Sequence, residues 1–273
     1  MDFNYDDDDD AAGCYYSGGA KARTEAAVLM QGCGVTLTLV QRPPAQNAAL
    51  WASGDGAVLW EGAHALIAHL DRTCASDGLG GARCIELGAG TGACGLACAA
   101  LGASFVLLTD RAAALPLLSL NAQATPSGHL AALSPNALAA GPSSQTPAPG
   151  KSPARVEVRE LEWGDAAHTA DLLAEHGPFD MAIASECAYR PRDYAPLART
   201  IRALVAPGGR AVLSWAKRGR AETELAACLR CEGFGLEWQR VVGHGDVDVV
   251  IARAAAARAR DARGGRRGRT GDL

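Results

Sequence analysis

The feature that most limits the fold is a glycine cluster, Glu86-Leu87-Gly88-Ala89-Gly90-Thr91-Gly92, continuing to Gly95. A short apolar run, 83–87, precedes it, and a run of small residues, 93–101, follows it. That order reads as a strand, a tight turn and a helix. Glycines let the chain turn sharply and let a ligand approach the backbone, and the start of a helix leaves N–H groups without partners. The next apolar run, SFVLLT at 104–109, shows no polar alternation, as in a strand buried on both faces. Asp110 ends it.

The remaining pattern extends this unit into a sheet. VTLTLV at 35–40 reads as a strand in a small N-terminal hairpin. Leu59, Ala63, Leu66, Ile67 and Leu70 recur at helical spacing over 58–70. A third helix is predicted over 112–123, and strands over 155–161 and 179–185. Leu197, Ile201 and Leu204 mark a further helix, which Pro-Gly-Gly at 207–209 turns into a strand over 210–214. A helix over 222–231 leads to two closing strands, 236–242 and 247–252. Strands alternating with helices imply a mostly parallel α/β sheet with helices on both faces, and the closing pair implies a final antiparallel hairpin. The expected organisation is one domain over 24–253, broken by a disordered Pro/Ser/Gly/Ala-rich insertion at 124–153. A disordered acidic tail, 1–23, and a basic Arg/Gly-rich tail, 254–273, flank it.

Charge and cysteine content narrow the setting. The formal net charge is −4, but it is unevenly placed: Asp6 to Asp10 form one block and arginines from Arg253 to Arg269 another. Such blocks repel themselves and read as solvated tails. A nucleic-acid contact is expected nowhere except through the Arg-rich tail. The first residues are acidic and lack the apolar stretch of a signal peptide, and no run is long enough to span a bilayer. The nine cysteines are an odd number scattered along the chain, which suits a reducing compartment. Cys84, Cys94 and Cys98 fall in core segments, and Cys228 with Cys231 makes a lone CxxC without the partners of a zinc site. The six histidines show no pairing and read mostly as surface residues, so no metal site is expected. A soluble protein of the cytoplasm or nucleus follows.

Two readings of the glycine cluster compete. Gly90, Gly92 and Gly95 satisfy the dinucleotide pattern GxGxxG, with Asp110 about 20 residues on, where a ribose-binding acid would stand. Glu86, just before the first glycine, argues against it. The string from Glu86 to Gly92 is similar to the first motif of seven-strand methyltransferases. Three further stretches lie in order around it: GAVLWEGA at 56–63, LEWGD at 161–165 and SECAY at 185–189. Together they resemble methyltransferase family sixteen, the protein-lysine methyltransferases of methyltransferase-like twenty-one type. The resemblance spans about 54–252, apart from the insertion.

The resemblance implies a Rossmann-like seven-strand methyltransferase sheet, S-adenosylmethionine as cofactor and a lysine-bearing protein as substrate. It implies that Trp60 contacts the cofactor from the helix before the first main strand. Gly88, Ala89 and Gly90 would line the methionine moiety, whose ammonium group Glu86 helps to hold. Asp110 would hold the ribose, Trp163 would pack on the adenine, and Ser185 would contact the cofactor through its backbone. Glu186-x-x-Tyr189 matches the acid-x-x-aromatic signature of the family's lysine methyltransferases, with Glu where Asp is usual. Glu186 would then orient the incoming amine and Tyr189 would wall its channel. The alternatives are a small-molecule or nucleic-acid methyltransferase, a nicotinamide oxidoreductase, and a non-catalytic module that has kept the fold. SECA is not the Asn-Pro-Pro-Tyr type of motif that signals methylation of nucleobase amines. The identity of the substrate, the degree of methylation and the oligomeric state carry no readable code.

Overall fold

The computed structural model describes residues 25–30, 33, 35–42, 58–74, 79–124, 154–187, 189–217, 223–241, 243–244 and 247–256. The two expected tails and the expected insertion therefore fall almost wholly outside the described residues. Two of their inner boundaries do not: Ala124 closes a helix, and Ala254 closes a strand.

The chain opens with a two-stranded antiparallel hairpin, β1 (Glu25–Met30) and β2 (Val35–Val40). Then come α1 (Glu61–Cys74), β3 (Arg83–Leu87), α2 (Ala93–Ala100), β4 (Phe105–Asp110), a 3-10 turn at Ala112–Ala114, α3 (Leu115–Ala124) and β5 (Arg155–Glu160). After these follow α4 (Ala166–His176), β6 (Phe179–Ser185), α5 (Tyr194–Leu204), β7 (Val205–Ala216), α6 (Glu224–Cys231), β8 (Phe234–Arg240) and β9 (Val247–Ala254). The main sheet has seven strands in the order β5-β4-β3-β6-β7-β9-β8. The strands from β5 to β7 pair in parallel, and β9 pairs antiparallel with both β7 and β8. The expected mostly parallel sheet with a final antiparallel hairpin is what forms. Its last strand slides inside, between β7 and β8.

Two apolar clusters, one on each face, explain why the central strands read as unbroken apolar runs. Cys84, Val106, Leu108, Met181 and Ile183 face α1, α2 and the hairpin. Ile85, Leu87, Phe105, Leu107, Ala182 and Ala184 face the opposite side with α5 and α6. Successive side chains of a strand alternate between faces, so both faces being covered favours apolar residues on both, and the buried polar exceptions, Glu86 and Thr109, stand near the strand ends. The edge strands carry the charges instead, RVEVRE in β5 and FGLEWQR in β8, which discourages pairing with another chain.

Several elements differ from the sequence reading. Helix α4 was not predicted. Asp165 starts it, its carboxylate accepting from Ala167 N–H at 2.8 Å and His168 N–H at 3.0 Å, an N-cap signal legible in retrospect. Helix α1 begins three residues later than its periodicity suggests, because the residues before it are held as an entry turn. Strand β7 begins at Val205, ahead of Pro-Gly-Gly, and its register against β6 shifts between Phe179 and Met181. The turn is thus an irregularity inside the strand. The sequence puts most histidines at the surface, yet His69 is only 3% exposed, because it lies on the inner face of α1 with Leu66 and Leu70. The ring of His176 is buried as well, 5.3 Å from that of Phe105. No helix among the described residues is long and apolar enough to cross a membrane.

Two buried side chains tie the hairpin to the rest of the fold: Asp71 on α1 accepts from Cys33 N–H at 3.0 Å, and Asn121 makes the larger set of bonds. Asn121 on α3 accepts from Val40 N–H at 2.8 Å and donates to the carbonyls of Val40 at 3.0 Å and Thr91 at 2.9 Å. It therefore joins β2 to the glycine loop. Removing it strands backbone groups in the interior, each costly when unpaired. Asn121→Ala is expected to lower stability by about 2–3 kcal/mol, seen in urea unfolding as a lower midpoint with an unchanged slope.

Candidate active site

Strand β3 lies between β4 and β6, so the chain crosses from it to opposite sides of the sheet. Open α/β sheets bind ligands at the carboxyl ends of the strands beside such a switch. Gly88 leaves the end of β3 there, Asp110 ends β4, Trp163 follows β5, and Ser185 with Glu186 ends β6.

The glycine loop is built by backbone bonds and two acids. Ala89 N–H donates to Thr109 O at 2.9 Å, and Thr109 Oγ1 donates to Glu86 O at 2.6 Å, tying β3 to β4 at the loop. Asp110 Oδ2 accepts from Gly90 N–H at 2.8 Å and Oδ1 from Arg111 N–H at 2.7 Å. Each carboxylate oxygen has two lone pairs, so Asp110 keeps acceptor capacity for hydroxyl groups after both bonds. Burial raises its pKa, and the two N–H bonds oppose that rise. Gly88 turns with φ of +63°, and a side chain there would collide with Cys187 Sγ and the Trp163 ring, each 2.8 Å from the Cβ position. Trp163 thus lies directly over the end of β3.

Glu86 is 2% exposed, and its Oε2 accepts from Gly95 N–H in the first turn of α2 at 2.8 Å. The residue that starts α2, Gly92, offers no side-chain cap. Glu86 supplies one from the preceding strand. Burial drives its pKa up to about 8, against the pull of the N–H groups of Gly95 and Cys94. Consequently the folded protein holds a proton on Glu86 between pH ~4.5 and pH ~8 that the unfolded chain releases.

Trp60, Ser185 and Glu186 gather around the start of α1. Trp60 O accepts from Ala63 N–H at 3.0 Å and His64 N–H at 3.3 Å, opening the helix. Glu186 Oε1 accepts from Gly62 N–H at 2.9 Å, across 124 residues of sequence. Ser214 Oγ on β7 donates to Gly62 O at 2.8 Å and lies 3.3 Å from Ser185 Oγ. Glu186 is the one non-glycine residue with a left-handed backbone among the described residues, at φ +55°, and its N–H donates to Ser214 O at 2.8 Å. Strained backbone of this kind clusters at functional sites. Tyr189 is half-buried, with the Arg190 guanidinium 5.0 Å from its ring centre. Nine of the ten sequence-predicted residues therefore lie at or beside the carboxyl ends of the sheet, and Tyr189 follows β6 along the chain. Sequence reasoning missed Gly62 and Ser214; the signal for Gly62 was a glycine in the first turn of a helix, a position that ordinarily favours other residues.

Elsewhere, Glu157, Glu175 and His176 bring possible ligand atoms within 4.8 Å of one another. Arg159 Nη2 is 2.9 Å from Glu157 Oε2 and 2.8 Å from Glu175 Oε1, and Arg155 also pairs with Glu157. These guanidiniums already neutralise the carboxylates.

A family model described as lysine methyltransferase matches residues 47–139 and 148–230. The chain belongs to that family. The protein is 32% identical over 152 residues to the protein N-lysine methyltransferase METTL21A of Danio rerio, covering 55% of this chain and 56% of that one. It is 28% identical over 156 residues to the protein N-terminal and lysine N-methyltransferase EFM7 of Yarrowia lipolytica, covering 57% and 54%. The chain thus spans about half the length of the curated relatives it matches. Among solved structures, a Streptococcus mutans protein assigned to the SAM-dependent methyltransferases superposes with a TM-score of 0.55 at 12% identity, covering 87% of this chain and 57% of that one. That likeness shows the fold.

The proton on Glu86 makes a testable pH dependence. Native binding of an extra proton means that stability falls as pH rises through this window and is lowest above pH ~8. Gln at this position keeps an oxygen for Gly95 N–H and never ionises. Unfolding at pH ~5 and pH ~8.5 is expected to show the wild type losing stability relative to Glu86→Gln as pH rises.

Proposed function

We propose that this chain is an S-adenosylmethionine-dependent methyltransferase that transfers a methyl group to a lysine side chain of a protein. The observation that carries the cofactor reading is the acid on the first turn of α2. Dinucleotide sites leave helix N–H groups open to a pyrophosphate. Here the Glu86 carboxyl group takes the Gly95 N–H, Asp110 takes the Gly90 N–H, and the loop 88–92 carries no basic residue. With those N–H groups taken and no basic residue beside them, the loop has little to offer a pyrophosphate, while the remaining acceptor capacity of the Glu86 and Asp110 oxygens suits the N–H groups of an ammonium and the hydroxyls of a ribose. Within it, Glu86, Gly88, Ala89 and Gly90 hold the methionine end, Asp110 the ribose, Trp163 the adenine, and Trp60 and Ser185 the rim.

Bound there, S-adenosylmethionine supplies an electrophilic sulfonium methyl. The protein's task is to position the acceptor and exclude water. A lysine amine titrates near 10.4 in water and must lose its proton to become a nucleophile. A dry channel disfavours the charged amine and lowers that value. Tyr189 walls the channel, and Glu186 accepts a hydrogen bond from the amine and fixes its direction. The proton leaves to water. The lysine-methyltransferase relatives support the protein substrate. The eight described cysteines are all free thiols, which supports action in a reducing compartment, the cytoplasm or the nucleus.

Titration calorimetry with S-adenosylmethionine, with NAD(H) run in parallel, tests the cofactor. Saturable binding of S-adenosylmethionine is expected, weakened by about tenfold or more in Asp110→Ala through loss of the ribose bonds and of the Gly90 anchor. Binding of NAD(H) alone would revive the oxidoreductase, and binding of neither would leave an interaction module. Glu186→Gln keeps an oxygen for Gly62 N–H while removing the charge. Transfer of labelled methyl to lysate protein is expected to fall about 100-fold in this variant, with cofactor affinity kept within about twofold.

A further inference from the structure

Gly62 is gripped from both sides. Its N–H donates to Glu186 Oε1 at 2.9 Å, and its carbonyl accepts from Ser214 Oγ at 2.8 Å. Ser214 is 1% exposed, and its own carbonyl accepts the Glu186 N–H. The three residues close a ring of hydrogen bonds joining the start of α1 to the ends of β6 and β7. A side chain at Gly62 would not fit as the ring stands. Its Cβ would lie 2.6 Å from Glu186 Oε1, 2.8 Å from Cγ and 2.9 Å from Cδ. The space that a methyl group would fill is filled by the length of Glu186.

We propose that Gly62 and Ser214 are positioning residues for the site, and that Gly62 and Glu186 form a size-matched pair. The proposal rests on the reading of Trp60 and Glu186 given above. Its physical content is a constraint on two backbones. Glu186 sits at φ +55°, which costs energy for a side chain of its size and persists only where neighbours impose it. Ser214 O fixes its N–H, and Gly62 N–H fixes its carboxylate. In return, the carboxylate occupies one of the unpartnered N–H groups at the start of α1, where negative charge is favoured. Trp60 stands two residues before Gly62, and its carbonyl opens the helix. The ring therefore sets where Trp60 and the Glu186 carboxylate lie relative to the ends of the sheet.

The pairing reverses a general rule. Gly→Ala in a helix ordinarily stabilises it, because alanine loses less backbone freedom. At position 62 the methyl group displaces the end of the Glu186 side chain, which is flexible enough to move, and takes the carboxylate off the Gly62 N–H. Aspartate is one methylene shorter and is at home in the left-handed region, so Glu186→Asp makes room for that methyl group.

A double-mutant cycle on the full chain tests the pairing, with S-adenosylmethionine affinity by calorimetry and melting temperature as readouts. Gly62→Ala is expected to weaken cofactor binding about tenfold, and Gly62→Ala/Glu186→Asp to return it to within about threefold of wild type. Affinities are measured well below the melting temperature, where a residue that only stabilised the fold would leave the affinity of the folded protein unchanged. Wild-type affinity in Gly62→Ala, or a double variant no better than Gly62→Ala, overturns the proposal. A wild type that binds no S-adenosylmethionine counts against the proposed function alone, and the pairing is then decided by the melting temperatures. A loss in Gly62→Ala recovered in the double variant upholds it, and additive losses overturn it.

Discussion

The hydrogen bond from Gly95 N–H to the buried Glu86 carboxyl group holds the centre of this molecule together. It spans the glycine loop, so the strand before the loop caps the helix after it. A glycine-rich turn has no side chains of its own with which to hold a shape. The Glu86 bond from one side, and the Asp110 bond to Gly90 from the other, give the loop a single path. Glu86 is buried and Asp110 half-buried, and both are pushed toward the neutral form by loss of water. The N–H groups they hold are lost to a phosphate, and their remaining lone pairs suit the hydroxyl and N–H groups of a ligand. The chemistry of the loop thus follows from the way it is held.

Around that centre the sheet acts as a rigid platform. Apolar clusters on both faces fix the strands, and the strand order places a crevice beside the end of β3. The hairpin and α1 are not part of the sheet, yet specific polar contacts bind them to it. Asn121 holds the hairpin against the glycine loop, and the Gly62–Glu186–Ser214 ring holds the start of α1 against β6 and β7. Each contact uses buried or half-buried groups with geometrically defined partners. Loss of one partner therefore leaves another unsatisfied.

Much of this was legible in the order of residues. The runs of β3, β4 and β6 read as strands because they are short and mostly apolar, without helical spacing, and the acid after SFVLLT marked where β4 stops. The residues proposed for the site were named by the family motifs, and most of them lie at strand ends, which follow from the runs. Helix α4 escaped because its apolar face is narrow; Leu172 is its one buried large residue, and only the Asp165 cap announced it. The burial of His69 and His176 escaped because a lone histidine carries no periodic signal.

By itself, the sequence determined the alternation of strands and helices, the glycine turn and the acids beside it. These are local matters of periodicity, backbone freedom and residue type. Only the tertiary structure decided what those acids touch. Gly62 and Glu186 are 124 residues apart, and no pattern along the chain relates them. Their contact exists because the sheet brings the end of β6 beneath the start of α1, where one carboxylate and one missing side chain fit the same space. Likewise, β9 takes its place between β7 and β8 because that is where its apolar residues are covered on both faces. Distances between remote residues are set by packing, and packing is settled only when the whole chain has folded.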